Sequence, residues 1–460
     1  MSEALTMEAT MDAPPRLDVD RLLDDRQTRI IVCCGAGGVG KTTTAAALGV
    51  RAAERGRKVV VLTIDPARRL AQSMGIDSLD NTPRRVQGVQ GAVGSEGSEG
   101  SEGSEGSGGG ELHAMMLDMK RTFDEIVEGH SDPERAQAIL ANPFYQSLSA
   151  GFAGTQEYMA MEKLGQLRAR DDWDLIVVDT PPSRSALDFL DAPGRLGSFL
   201  DGKFIRVLMA PAKVGGRAGM KFLNVGMSMM TGTLSKLMGA SLLKDVQTFV
   251  AAMDTMFGGF RTRADATFQL LQAPGTAFLV VSAPEPDALR EAAYFVERLA
   301  AERMPLAGLV LNRVHGSDAE QLSAERALAA AENLEEGGIV DQESGKAGLR
   351  DSTETDPETD PDTETDPDAR IERETGADTV EADKDADADA DVDLITAGLL
   401  RLHAERMQVI AREQRTRDRF TSLHPEVAVA EVAALPGDVH DLAGLRAIGE
   451  RLAAGVPAGA

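Results

Sequence analysis

Residues 29–55, "RIIVCCGAGGVGKTTTAAALGVRAAER", constrain the fold more than any other stretch of this chain. An apolar, β-branched run enters a glycine-rich turn, and an alanine-rich helical pattern leaves it. The turn, "GAGGVGKT" at 35–42, satisfies G-x-x-x-x-G-K-[ST] in the strand-to-helix context that gives the pattern its meaning. Its glycines let backbone N–H groups converge on phosphate oxygens, and the helix N-terminus adds partial positive charge. Gly35, Gly37, Gly38, Val39, Gly40, Lys41, Thr42 and Thr43 are therefore the candidate nucleotide contacts. Lys41 is expected to bind β/γ oxygens of ATP, and the Thr42 hydroxyl to ligate Mg²⁺.

Further apolar runs follow at 58–64, 173–178, 276–282, 306–311 and 427–434, with helical patterns at 42–55, 287–303 and 397–418 between them. Continuous rather than alternating apolar runs predict strands buried on both faces of a parallel sheet. The alternation of β and α predicts an α/β fold, a doubly wound and mostly parallel sheet. The expected organisation is a tail over 1–27 and one discontinuous nucleotide-binding domain over 28–330 and 395–452. A helical, Met- and Gly-rich subdomain is expected over 190–272. Residues 94–110, "GSEGSEGSEGSEGSGGG", read as a flexible insert, and 335–393 as an acidic disordered one.

Charge and cysteine content narrow the function. The net charge is −26, but residues 331–395 alone hold 24 Asp/Glu against 5 Lys/Arg. The rest of the chain has an ordinary balance, and with no basic stripe it is not expected to bind nucleic acid. Cys33 and Cys34 are the only two cysteines. As strand neighbours they point to opposite faces, which disfavours a disulfide between them, and a reduced cytoplasmic protein is expected. The acidic N-terminus has no apolar run of the kind a signal peptide needs, and no run is long enough for a transmembrane segment.

Three strand ends carry the remaining candidates. Asp65 in "LTIDPARRLAQ" falls at a strand's carboxyl end, where it either orients a water for attack on the γ-phosphate or caps the next helix. Asp179 ends "WDLIVVD" and is a candidate to hold Mg²⁺ through its water shell, with a helix cap as the alternative. Asn312 in "LVLNRV" presents an amide that can both donate to and accept from a purine edge, or serve as a turn residue. "LPGDVHDLAGL" at 435–445 is a candidate loop against the adenine.

Taken in order, "GAGGVGKTTTA", "TIDPARRLAQ", "DTPPSRSALDFL", "LNRV" and "LPGDVHDL" resemble the ArsA-type ATPases. That family includes arsenite-pump ATPases and targeting factors for tail-anchored membrane proteins. It belongs to the deviant Walker A group, beside MinD- and ParA-like ATPases. The resemblance implies an ATP- and Mg²⁺-dependent ATPase working as a dimer, with Asp65 activating water and Asn312 reading adenine. Two departures stand out. Where members carry a lysine that reaches across the dimer to the partner's phosphates, this chain has Ala36. In other phosphoryl-transfer enzymes such a cross-site cation is worth roughly 10³–10⁵ in rate. Arg68 and the pair Arg184–Ser185 also replace usual family residues, and either arginine is a candidate substitute cation.

The segment 204–257 holds eight of the chain's 19 methionines, from Met209 to Met256. They either line a surface for a hydrophobic client, as the resemblance implies, or pack the segment's own core. Two functions are therefore expected to compete. One is an ATPase dimer that couples nucleotide state to a hydrophobic client or protein partner. The other is a weakly hydrolysing regulatory subunit, paired as a heterodimer with a lysine-bearing paralogue. An arsenite site needs converging thiolates, and two adjacent strand cysteines do not supply them.

Overall fold

Eight strands form one sheet in the order β3-β4-β2-β5-β1-β6-β7-β8. The computed structural model describes residues 15–64, 68–76, 78–89, 109–149, 155–181, 262–347 and 378–454. The strands are β1 (Ile30–Gly35), β2 (Lys58–Thr63), β3 (Arg84–Arg85), β4 (Glu111–Met116), β5 (Leu175–Asp179), β6 (Thr276–Ser282), β7 (Leu306–Val314) and β8 (Val429–Ala433). Every pairing is parallel except that of β3 with β4. The mostly parallel α/β sheet expected from the sequence is thus present.

The central strands β1, β5 and β6 are buried at every residue, because helices cover both faces of the sheet. Alternate residues of β1 sort onto two cores. Ile30, Val32 and Cys34 join one, and Ile31 and Cys33 join the other. On the Cys33 side lie α1 (Val19–Asp24), α2 (Lys41–Glu54) and α11 (Leu442–Ala454). α2 approaches closely because its inner face is Ala45, Ala46, Ala47, Ala52 and Ala53, all fully buried. On the Cys34 side lie α4 (Met119–His130), α7 (Thr155–Arg170) and α8 (Pro286–Ala301), with the short α5 (Pro133–Leu140) and α6 (Pro143–Ser149) beside α4. The remaining helices are α3 (Arg68–Ser73), α9 (Ala324–Ala347) and α10 (Asp378–Leu423), and residues 262–272 are also helical.

Polar ties fix the outer elements. Asp20 on α1 accepts from Arg51 Nε at 2.6 Å and Nη2 at 2.7 Å, and this hydrogen bonding holds its carboxyl below the usual range. Arg57 is buried and donates to the carbonyls of Leu23, Asp25, Thr28 and Asp174, stitching the chain ahead of β1 to the entry of β5. Loss of solvation pushes its guanidinium down to about 10.

Two compact units divide the chain. One combines Met1–Val314 with Thr416–Pro457; the other contains His315–Arg415. The second is an unforeseen division, since the sequence suggested a single discontinuous domain. Within it, Arg401 pairs with Glu335 at 2.7 Å, His403 meets the Leu322 carbonyl, and Ala327, Ala331, Ala397 and Ala404 are buried. The margins of the expected acidic disordered segment are helical, with α9 running to Ala347 and α10 starting at Asp378. Recurring alanines favour helix from Asp378 onward despite the acidic composition, and α9 extends an alanine-rich start at 324–331. The 94–110 insert lies outside the described residues except for Gly109 and Gly110, and Gly110 is buried at the start of β4. Most of 190–272, including all eight methionines of 204–257, also lies outside them.

Candidate nucleotide-binding site

The loop that closes β1 stays at the carboxyl end of the sheet, where α2 begins. Gly40 is the N-cap of α2, with φ +96° and no side-chain cap hydrogen bond. No acidic residue occupies the first turn, so the exposed N–H groups of this end suit an anion. A Cβ at Gly40 would fall 2.3 Å from Asn312 Nδ2, so both conformation and space call for glycine. Lys41 is buried, and its Nζ donates to the Ala36 carbonyl at 2.7 Å, folding the loop's cation back over the loop. Ala36 is itself buried.

Register brings the acidic partner alongside. Cys33 on β1 and Thr63 on β2 both pair with Asp179 on β5, so β2 and β5 end level and β1 runs two residues beyond them into the loop. Asp179 is fully buried, and its Oδ2 accepts from Thr42 Oγ1 at 2.7 Å and Thr63 Oγ1 at 2.8 Å. Thr180 then turns back, its Oγ1 donating to the Cys33 carbonyl at 2.9 Å. A carboxylate flanked by hydroxyls is a set of hard oxygen donors, which fits a divalent cation such as Mg²⁺. Sequence reasoning singled out Thr42 and Asp179, which the fold brings together, but not Thr63. Its only signal was a hydroxyl ending a strand that runs parallel to β5.

Asn312 is also buried, and Nδ2 donates to the Val39 carbonyl inside the loop at 2.8 Å. The β7–β8 register slips between Asn312 and Val314, and Arg313 takes φ +62°. That irregularity lies beside Asn312, where β7 reaches the loop. After the last strand, Leu435, Val439 and Leu442 pack on the α2-side core, and Asp441 Oδ1 caps α11 through Gly444 N–H at 2.8 Å. Asp65 lies outside the described residues, as do Arg184, Ser185 and the Arg68 side chain. Directly before Asp65, the Ile64 carbonyl accepts from Gln156 Nε2 at 2.9 Å, and Ile64 N–H donates to the Asp179 carbonyl. Gln156, on α7, was not read from sequence.

Cys33 and Cys34 are free and buried on opposite faces of the sheet. Burial pushes the Cys33 thiol well up and Cys34 up to about 12, so neither offers a thiolate near neutral pH.

A family profile described as anion-transporting ATPase matches residues 28–336. The chain belongs to that family. Among its relatives, ATPase GET3 of Podospora anserina is 25% identical over 314 residues, covering 67% of this chain and 80% of the relative. ATPase GET3 of Malassezia globosa is 28% identical over 183 residues, 40% of this chain and 47% of the relative. A putative arsenical pump-driving ATPase of Halobacterium salinarum is 28% identical over 223 residues, 46% of this chain and 31% of the relative. The protein is accordingly an ATPase, an enzyme that binds a nucleotide and a divalent metal. The matched span begins just ahead of β1 and carries the phosphate loop, Asp179 and Asn312. No helix among the described residues of this ATPase is long and apolar enough to cross a membrane.

Proposed function

We propose that this ATPase hydrolyses ATP with Mg²⁺ as a nucleotide-dependent dimer, coupling its nucleotide state to a hydrophobic client or protein partner. The observation that carries the reading is the meeting of Thr42 and Asp179 at 2.7 Å beside the buried Lys41. In this reading the backbone from Gly35 to Gly40, with Thr43, cradles the phosphates. Lys41 exchanges the Ala36 carbonyl for a β/γ oxygen, so its charge is released only when phosphate is present to accept it. Thr42 and Asp179 hold the metal, and Thr63 keeps the Asp179 carboxylate turned toward it. Mg²⁺ would neutralise charge building on the β- and γ-phosphates. Asp65 orients the attacking water, and Asn312 contributes its remaining acceptor, Oδ1, to adenine. The client surface is assigned to the Met-rich 204–257, by the family resemblance and the chemistry of thioethers. The reading is of a cytoplasmic protein without a nucleic-acid partner.

A second reading is favoured by one residue, Ala36. Without a cation there, the chain is a weakly hydrolysing subunit that pairs with a lysine-bearing paralogue. Steady-state hydrolysis of the purified chain, with mass measured with and without ATP·Mg²⁺, tests both. Turnover together with nucleotide-dependent dimerisation supports the first. ATP binding without turnover, rescued by a partner purified from native cells, supports the second. Failure to bind ATP would remove both.

A further inference from the structure

α10 carries two apolar faces within the His315–Arg415 unit. The first holds Ala397, Ala404 and Ile410 and is buried. The second is open to solvent: Val392, Ile395, Leu399 and Leu402 are 58–64% exposed, and Val409 is 38% exposed. These five side chains follow a heptad. Val392 and Leu399 fall at a; Ile395, Leu402 and Val409 fall at d; Arg406 takes the remaining a position. Scattered exposed leucines are ordinary, but five apolar side chains at heptad spacing, interrupted at Arg406, call for a cover.

We propose that this stripe pairs antiparallel with the same stripe on a second copy of this chain. The sequence is self-complementary about a point between Leu400 and Arg401. Laid antiparallel there, Val392 meets Val409 of the second copy, Ile395 meets Arg406, and Leu399 meets Leu402, so every a faces a d. Two-fold symmetry repeats each pairing in reverse. At the flanking g positions, the same register sets Asp391 against Arg412, opposite charges, once at each end. A parallel pairing would instead stack Arg406 on Arg406 at the seam, burying like charges. Arg406 Nε donates to the Gly316 carbonyl at 2.7 Å, which draws the guanidinium aside and leaves its methylene stem for Ile395.

The seam also has ends. At the next a position, Glu413 is engaged by His315, through Nδ1 at 2.6 Å and the backbone N–H at 3.0 Å. One heptad before Val392 stands Asp385. Between these limits the stripe spans about 27 Å of helix. Its surroundings, Asp391, Asp393, Arg401, Glu405 and Arg406, mix both signs. An anionic membrane would call for a basic border instead.

The test uses the full chain without nucleotide, so it does not depend on the ATP-dependent dimer. At tens of micromolar, sedimentation should give twice the mass of one chain. Leu399→Glu with Leu402→Glu should give a monomer that still binds ATP. Asp391→Arg should raise the dimer Kd about fivefold, and adding Arg412→Asp should restore it, a rescue that a misfolded variant would not show. Finally, Val392→Cys and Val409→Cys chains should cross-link when mixed and oxidised, and neither should cross-link alone; Cys33 and Cys34 are buried and do not compete. A monomeric wild type would overturn the proposal. So would a Leu399→Glu/Leu402→Glu chain that stays dimeric, or cross-linking of the Val392→Cys chain to itself.

Discussion

Asn312, near the end of β7, donates to the Val39 carbonyl at 2.8 Å, so a strand two places from β1 holds the phosphate loop from outside. The contact fixes the turn immediately before Gly40, whose missing side chain makes room for the same amide. In the proposed function one side chain would join loop geometry to base recognition, with Nδ2 serving the loop and Oδ1 accepting from adenine. Asn312→Ala should weaken ATP binding about tenfold, from roughly 1.4 kcal/mol of lost hydrogen bonding. Calorimetry with GTP beside ATP separates the two roles. Both affinities should fall, and ATP should fall further. An equal loss would leave Asn312 with the loop alone, and an unchanged GTP affinity would show that the Val39 contact contributes nothing.

Lys41→Ala should reduce ATP·Mg²⁺ affinity by at least tenfold, because a charge-assisted contact in a buried loop is worth about 1.5–3 kcal/mol. Thr63→Val acts differently. It spares the cradle and removes one of the two hydroxyls on Asp179 Oδ2, so the Mg²⁺ concentration for half-maximal hydrolysis should rise about fivefold. ATP affinity without metal should not move. An unaltered Mg²⁺ dependence would reduce Thr63 to a strand residue.

The central strands were legible because β1, β5 and β6 are buried on both faces and therefore apolar through their interiors. β4 was not. It is half-covered, with intermediate residues Glu111 and His113 breaking the run, and it follows a Gly/Ser/Glu repeat that ends any local pattern. β3 is two exposed arginines, visible only once β4 is there to pair with. The phosphate loop could be read as a spacing, whereas the Thr63–Asp179 contact depends on strands from different parts of the chain ending level. Arg57 shows the same limit, since nothing local announces that four carbonyls will surround it. The 315–415 unit was not read from the sequence, because an acidic, Pro-containing stretch separates the two helices that contribute to it.

Asp65→Asn should keep ATP binding near wild type and slow hydrolysis by about 10²-fold or more, the usual scale for losing a general base. The change is isosteric, so a cap at the start of α3 would largely survive it. Unchanged turnover would leave Asp65 as a cap only.

Deleting residues 94–108 should move the melting temperature by only a degree or two and leave ATP affinity unaltered. Loop closure changes slowly with length, and the repeat has no apolar side chain to lose. The deletion must stop short of Gly110, which is buried where Glu111 N–H donates to the Arg57 carbonyl at 3.1 Å. A fall of several degrees would mean that the repeat packs.

Ala36→Lys tests what the loop lacks. Ala36 contributes a carbonyl to Lys41 but no charge of its own, so phosphate can still be cradled while this position offers no cation to a neighbouring site. If two copies form the nucleotide dimer, restoring the lysine should accelerate hydrolysis by the purified chain by at least tenfold, toward the 10³–10⁵ range of cross-site cations elsewhere. In a heterodimer the effect is one-sided. A lysine-bearing paralogue already completes this chain's site, so Ala36→Lys should raise turnover only at the paralogue's. Inactivating each site in turn with its own Lys→Ala change in the loop would show which site gained. Rapid hydrolysis by the unmutated homodimer would refute this account and shift the search for a cation to Arg68 and Arg184.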